Sequence, residues 1–178
     1  MNAMATGFSN KVIGQTGEFA VCAQLGKLGL VATPFAGNLP HFDVIVTDEE
    51  LRAVPVQVKA TLGNPSWMAG DARDYMEIEL CPQTGKQTIT GLKHIRHPEL
   101  INVYVWLSKQ PGGTDRFFVL TKAQVQMATH NEYSEWLAKH GGVRPRKQDS
   151  FHLAISMQNF LEFENNWKLI TDTLRNAA

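Results

Sequence analysis

The sequence predicts an α/β protein in which a mixed central β-sheet is flanked by helices. Two segments at 41–47 and 53–61 alternate polar and apolar side chains, and this period of two is typical of β-strands. A largely apolar run at 101–107 is rich in β-branched and aromatic residues, which predicts a buried central strand. Because helical patterns precede and follow these segments, the order of elements favours an α/β sandwich.

The first helix is predicted at 16–29, because its apolar residues recur at helical spacing and Gly29 is a suitable stop. The inward-facing residues of this helix are Val21, Cys22, Leu25 and Leu28. Glu18 lies on the same face, and a carboxylate directed inward is costly unless a cation or hydrogen-bond donors meet it. In the alternative interpretation, Glu18 lies partly exposed in the first turn and complements the helix dipole.

The two alternating segments are separated by the polar residues 48–50, and a β-hairpin is the simplest interpretation. On the second strand, Gln57 and Lys59 share one face while valines occupy the other. Hairpin pairing would bring Asp43, near the start of the first strand, close to both side chains. Such a cluster suits phosphoryl transfer, since oxygen ligands hold Mg²⁺ and a lysine neutralises the phosphate or helps to activate a water.

These residues resemble the PD-(D/E)XK nuclease superfamily, which has a restriction-endonuclease-like fold. The resemblance is carried by six residues within a motif region at 14–61, namely Gly17, Glu18, Pro40, Asp43, Gln57 and Lys59. Gln57 stands where most members carry an acid, which is similar to the branch of Mrr-type restriction endonucleases. The layout also resembles archaeal Holliday-junction resolvases.

The resemblance implies a Mg²⁺ site, with Mn²⁺ as an alternative metal, in which Asp43 is the central ligand. Glu18 would be a further ligand, directly or through water, and Gln57 would bind through its carbonyl oxygen. Lys59 would contact the phosphate or the attacking water. Together these four residues form the expected catalytic site.

Two features depart from the family pattern. His41 and Phe42 separate Pro40 from Asp43, which is common variation in a loop that enters a strand. Gln57 lowers the negative charge of the site by one, and this weakens metal binding unless a helix glutamate supplies the missing carboxylate.

Three functions are compatible with this pattern. The first is a Mg²⁺-dependent endonuclease that acts on DNA in restriction, defence or repair, as a homodimer or within a larger assembly. The second is a nuclease-fold protein without catalysis that serves as a binding or interaction module. The third is action on RNA, where His94 and His97 beside Arg96 would support acid-base chemistry without a metal, although the sequence carries no paired aromatic stacking motif.

The charge composition excludes a strong global attraction to nucleic acids, because 17 Lys and Arg residues balance 17 Asp and Glu residues. DNA contacts must therefore be local, and the basic stretches at 86–97 and 144–147 are the candidates. The residues expected to make these contacts are Lys86, Lys93, Arg96, Arg144, Arg146 and Lys147. Each stretch is explained more simply as a solvated loop, and Gly141 and Gly142 favour a mobile one.

The remaining elements are predicted from the same hydrophobic periodicity, together with turn and helix-capping residues. The predicted elements are a loop at 63–70, strands at 75–80, 117–120 and 151–155, a helix after Thr121, a helix at 131–139, and a final helix after Ser156. Glu77 and Glu79 either bind a metal or, more simply, form the solvent face of their strand.

With 178 residues and 43% hydrophobic composition, residues 1–178 are expected to form a single nuclease-like domain that includes the strand and helix at 151–175. No apolar run is long enough to span a bilayer and no secretion signal is evident, so we expect a cytoplasmic protein. Cys22 and Cys81 lack the spacing of a zinc site and are expected to be reduced thiols.

Overall fold

The computed structural model describes residues 6–35 and 41–177, so Pro40 of the expected motif lies outside the described residues. The chain divides into two compact units. The first comprises Met1–Pro65, Leu100–Thr121 and Leu161–Ala178, and the second comprises Ser66–Glu99 and Lys122–Phe160. That the whole chain acts as one domain stays a prediction.

The described chain has three α-helices and nine β-strands. In chain order they are α1 (Thr6–Lys27), β1 (Val31–Pro34), β2 (Val44–Thr47), β3 (Ala53–Leu62), β4 (Ser66–Asp71), β5 (Met76–Leu80), β6 (Gln87–Leu92), β7 (Ile101–Leu107), β8 (Arg116–Thr121), α2 (Lys122–Lys139), β9 (His152–Ser156) and α3 (Lys168–Asn176). Within the described ranges, no helix has the length and apolar character needed to cross a membrane.

The first unit is built on a five-stranded sheet of order β1-β2-β3-β7-β8. β3 and β7 are parallel, and the other neighbouring strands are antiparallel, so the sheet is mixed. The predicted hairpin is confirmed as β2 and β3, with Val44 opposite Val56. The predicted α/β class with a mixed central sheet is therefore confirmed.

The apolar core of this unit lies on one face of the sheet. On β3, Val54, Val56 and Val58 are buried and alternate with more exposed residues, and we call the side of the sheet that they share the valine face. Alternate residues of β7 and β8 join the same cluster. The helix residues in it are Val21 and Leu25 of α1, and Ile170 and Leu174 of α3. Both helices therefore pack on the valine face.

Gly17 allows α1 to approach β3 closely. A Cβ atom at this position would lie 2.4 Å from the Cβ of Ala60 and 3.6 Å from Cγ1 of Val58. Since real Cβ atoms do not come this close, any larger residue would displace the helix. The contact holds the adjacent Glu18 over the valine face of β3.

The second unit contains two small antiparallel sheets, β4 with β9 and β5 with β6, together with α2. Trp67 of β4 packs against Phe160, with ring centroids 5.7 Å apart. On α2, Val125, Tyr133 and Leu137 are buried and supply helix residues to the core of this unit.

Some local predictions were wrong because distant partners decided the backbone hydrogen bonding. β4 occupies most of 63–70, where the sequence predicted a loop, and it pairs with β9 from the other end of the chain. β6 lies inside the basic stretch 86–97, also predicted as a loop, and it pairs with β5. α1 begins at Thr6, earlier than predicted, and β1 was not predicted.

The helical predictions after β8 also need correction. α2 is one continuous helix instead of two, because no glycine or proline interrupts it. The final helix does not begin after Ser156: residues 157–163 form a 3-10 helix, and α3 begins only at Lys168. Asn165 between them has a φ of 55°, a left-handed conformation that an α-helix cannot include.

Candidate functional site

Asp43 lies immediately before β2 and is bound to the backbone of β3. Its N–H donates to the carbonyl of Val56 at 2.9 Å, and its Oδ2 accepts from the N–H of Val58 at 2.8 Å. The pairing of β2 with β3 ends at Val44, so no backbone carbonyl of β2 is available to the next N–H of β3. The Asp43 carboxylate accepts that hydrogen bond instead. This hydrogen bond holds the carboxylate at a backbone position flanked in sequence by Gln57 and Lys59.

Glu18 is half-buried on α1 and interacts electrostatically with Asp43. Burial raises the pKa of Glu18 above its ordinary value, and the negative charge of Asp43 raises it further. The pKa of Cys22, one turn along the helix, is raised by burial and then by the charge of Glu18. The structure thus places Glu18 where it feels the charge of Asp43, and a cation bound by both carboxylates would relieve that repulsion.

Gln57 and Lys59 are on the opposite face of β3 from the valines; Gln57 is half-buried and Lys59 is exposed. Glu18 belongs to α1, which packs on the valine face of β3. Gln57 and Lys59 project from the other face of the same strand. Asp43 connects the two sets, because it interacts with Glu18 and binds the β3 backbone. Convergence of all four side chains on one pocket stays a prediction.

The donor set can be compared with what a metal ion requires. In the part of the chain that the structure describes, no group of three or more His, Cys, Asp or Glu side chains is arranged to hold a metal ion. A site at Asp43 would therefore combine the carboxylates of Asp43 and Glu18 with the amide oxygen of Gln57. An all-oxygen set with mutually repelling carboxylates fits a hard cation such as Mg²⁺. Glu77 and Glu79 are exposed on β5, as expected for a solvent face.

The residues expected to contact DNA differ in their surroundings. Lys86, Lys93 and Arg96 are exposed, and the ammonium group of Lys93 donates to the carbonyl of Arg73 at 2.9 Å. Arg146 and Lys147 are exposed as well. A role for these residues in binding stays a prediction.

Arg144 departs from the simpler expectation of a solvated loop residue. It is half-buried, and its guanidinium carbon lies 4.8 Å from the ring centroid of Trp136 and 6.0 Å from that of Tyr133. Neither aromatic residue was predicted to have a role. Their spacing of three residues on one helix could have indicated a shared aromatic face, because such residues lie on the same side of a helix.

Comparisons with known proteins support the fold. No protein-family model matches this sequence, and no curated protein matches it either. Among solved structures, the chain is similar to the bacterial homing endonuclease I-Ssp6803I, with a TM-score of 0.50 and 12% sequence identity. The similarity covers 93% of this chain and 95% of that chain. At this identity the likeness is one of fold, and the fold is that of a nuclease.

Proposed function

We propose that this protein is a Mg²⁺-dependent endonuclease that hydrolyses phosphodiester bonds of DNA, from the Gln-x-Lys branch of the PD-(D/E)XK superfamily. The overall likeness to a homing endonuclease supports DNA as the substrate. The order of the four residues supports the superfamily: Glu18 is on α1, Asp43 comes immediately before β2, and Gln57 and Lys59 are on β3. Restriction, defence and repair are all consistent with this activity, as is a homodimer.

The four residues would have two different roles in this reaction. Asp43, Glu18 and Gln57 would hold the cation, and Lys59 would bind the scissile phosphate or orient the attacking water. The cation supplies positive charge to polarise the phosphoryl oxygens and to lower the pKa of a bound water. Asp43 is preorganised for this role, because its hydrogen bond to the N–H of Val58 fixes the carboxylate before any ligand arrives.

One observation carries the proposal: Glu18 is half-buried beside Asp43, whose carboxylate is held by the N–H of Val58 where the β2 ladder ends. Burial raises the pKa of Glu18, and the charge of Asp43 raises it further. Within the described residues neither acid forms an ion pair with an arginine or lysine, whereas Asp48 and Asp71 are each paired with an arginine. Repelling carboxylates persist most readily where a cation or a reaction needs them.

The test is Mg²⁺-dependent nicking of supercoiled plasmid and of branched DNA by the wild type, Asp43→Asn and Glu49→Gln. Glu49 is an exposed acid in the turn between β2 and β3 and serves as the matched control. We expect cleavage by the wild type and the control, and a loss of at least about a hundredfold in Asp43→Asn. Equal cleavage by all three proteins would exclude Asp43 from the mechanism.

A second candidate function is a nuclease-fold binding module that does not cleave. The neutral Gln57 and the lack of three clustered acidic, His or Cys ligands among the described residues favour it. Calorimetric titration with Mg²⁺ separates the two functions. Absence of Mg²⁺ binding, together with retained DNA binding and no cleavage on any substrate, would establish the binding module.

A further inference from the structure

Arg144 in the second unit has the features of a ligand-binding cation. Its Nε atom is buried and has no hydrogen-bond partner among the described residues. The ion pairs formed by the other arginines are with Asp48, Glu50, Asp71, Glu164 and Asp172, and none of the described acids pairs with Arg144. A guanidinium N–H removed from water without an acceptor is unusual, because buried polar groups are normally paired.

Arg144 is held in place by a hydrogen-bonded network. Its Nη1 donates to the hydroxyl of Tyr133 at 3.3 Å, and that hydroxyl donates to the side-chain oxygen of Gln87. The Gln87 amide nitrogen donates to the carbonyls of Gln148 and Ser150, at 2.7 and 3.0 Å. The loop that follows Arg144 is thereby tied to β6 and α2, so the cation is positioned before a ligand binds.

The guanidinium borders a cavity of about 270 Å³. The cavity is lined by Glu132, Tyr133, Trp136, Arg144, His152, Leu153 and Ala154. Its volume lies just below the range of roughly 300–1,000 Å³ typical of drug-sized ligands, so it suits a small group. His152 is exposed, and its Nδ1 lies 3.4 Å from the Gly70 carbonyl.

Glu132 is the acid in this cavity, and it does not neutralise Arg144. Its Oε2 accepts hydrogen bonds from the N–H of Ser156, at 3.2 Å, and from the side chain of Asn159. The nearby Asp71 is paired with Arg73 at 2.7 Å. No described acid forms an ion pair with Arg144, so its charge is not used by a carboxylate. The donors to Glu132 are uncharged, so its carboxylate keeps its negative charge and lowers the net attraction of the cavity for an anion.

We infer that this cavity binds a phosphate group, with Arg144 as the cationic anchor. The planar guanidinium matches two phosphate oxygens at once, and contact with aromatic rings protects it from water. The phosphate can belong to a nucleic-acid backbone or to a small phosphorylated ligand, because both present the same oxygens. The site uses no residue of the Glu18 and Asp43 pair.

The test measures binding by calorimetry to the full chain in the presence of EDTA, so that the proposed metal site does not contribute. The probes are inorganic phosphate, a mononucleotide, a short DNA duplex and, as a carboxylate control, acetate. Arg144→Met keeps the apolar stem and removes the charge, while Arg144→Lys keeps the charge and removes the planar fork. Lys139→Met, which removes an exposed cation from the last turn of α2 in the same unit, is the matched control.

We expect Arg144→Met to weaken phosphate binding about tenfold or more, Arg144→Lys to weaken it less, and Lys139→Met to change it by less than about twofold. Thermal unfolding of each variant confirms that it is folded. Tighter binding of the duplex than of the mononucleotide identifies a nucleic-acid backbone, and the reverse identifies a small ligand. No phosphate binding by the wild type, equal binding of acetate, or equal losses in the folded Arg144→Met and Lys139→Met variants would overturn the inference.

Discussion

The carboxylate of Asp43 accepts a hydrogen bond of 2.8 Å from the backbone N–H of Val58 on the neighbouring strand. Val58 is buried, so this N–H would otherwise lose its partner where the β2 ladder ends. The same carboxylate raises the pKa of Glu18. The Asp43 carboxylate thus satisfies a backbone N–H at the end of the β2 and β3 pairing, and its negative charge also acts on Glu18.

Replacing Asp43 separates its structural role from its charge. Asp43→Ala leaves the buried N–H of Val58 without an acceptor and should lower the free energy of unfolding by about 1–3 kcal/mol. Asp43→Asn keeps an acceptor oxygen and should unfold close to the wild type, while cleavage is lost. Urea denaturation measures the unfolding free energies, with Glu49→Ala as the control. Equal stability of the alanine and asparagine variants would contradict the structural role.

The raised pKa of Glu18 predicts a pH-dependent stability. Because the folded state binds the Glu18 proton more tightly than the unfolded chain does, ionised Glu18 destabilises the folded state. Its contribution to stability is therefore lost as pH rises from the ordinary value of 4.5 through the raised pKa. Glu18→Gln should be more stable than the wild type near neutral pH, by about 0.5 kcal/mol, and similar to it below 4.5.

The measurement for Glu18 is urea denaturation across a pH series without divalent cations. Addition of Mg²⁺ should then stabilise the wild type more than Glu18→Gln, since a ligand stabilises the state that binds it. A stability difference that is constant with pH would show that the pKa of Glu18 is not raised in the folded state.

Adding a carboxylate at position 57 should strengthen the metal site. Gln57→Glu replaces a neutral oxygen ligand by a charged one, so Mg²⁺ affinity should rise about tenfold. Calorimetric titration measures the affinity, and Gln110→Glu in an exposed loop of the same unit controls for the added charge. The same affinity in wild type and Gln57→Glu would remove Gln57 from the ligand set.

Lys59 separates catalysis from metal binding. If its ammonium group stabilises the phosphate in the transition state, Lys59→Ala should lower the cleavage rate about a hundredfold or more and leave Mg²⁺ binding intact. Lys11→Ala removes an exposed lysine from α1 of the same unit and should cleave normally. Cleavage by Lys59→Ala at the wild-type rate would assign to Lys59 only the covering of β3 by its alkyl stem.

Gly17 should be intolerant of a side chain, because its Cβ would lie 2.4 Å from the Cβ of Ala60. Gly17→Ala should destabilise the protein by about 1–3 kcal/mol and lower cleavage by shifting the adjacent Glu18. Gly26 in the same helix has open space around the same position, so Gly26→Ala should stabilise by about 0.5–1 kcal/mol. Thermal denaturation of the two variants should shift in opposite directions, and parallel shifts would rule out the close contact.

The sequence alone determined the features that depend on local periodicity. Alternation along 53–61 correctly divided Val56 and Val58 from Gln57 and Lys59, and the apolar run at 101–107 matched β7. These predictions succeeded because the period of a strand places neighbouring side chains on opposite faces whatever the strand pairs with.

Only the tertiary structure decided what depends on distant contacts. β4 became a strand because β9 supplies its hydrogen bonds, and its own loop-like residues give no sign of that partner. The interaction between Glu18 and Asp43 depends on the close packing at Gly17, and the burial of Arg144 depends on the aromatic face of α2. Each arises from the folding of segments that are remote in sequence, where local propensity carries no information about which surfaces meet.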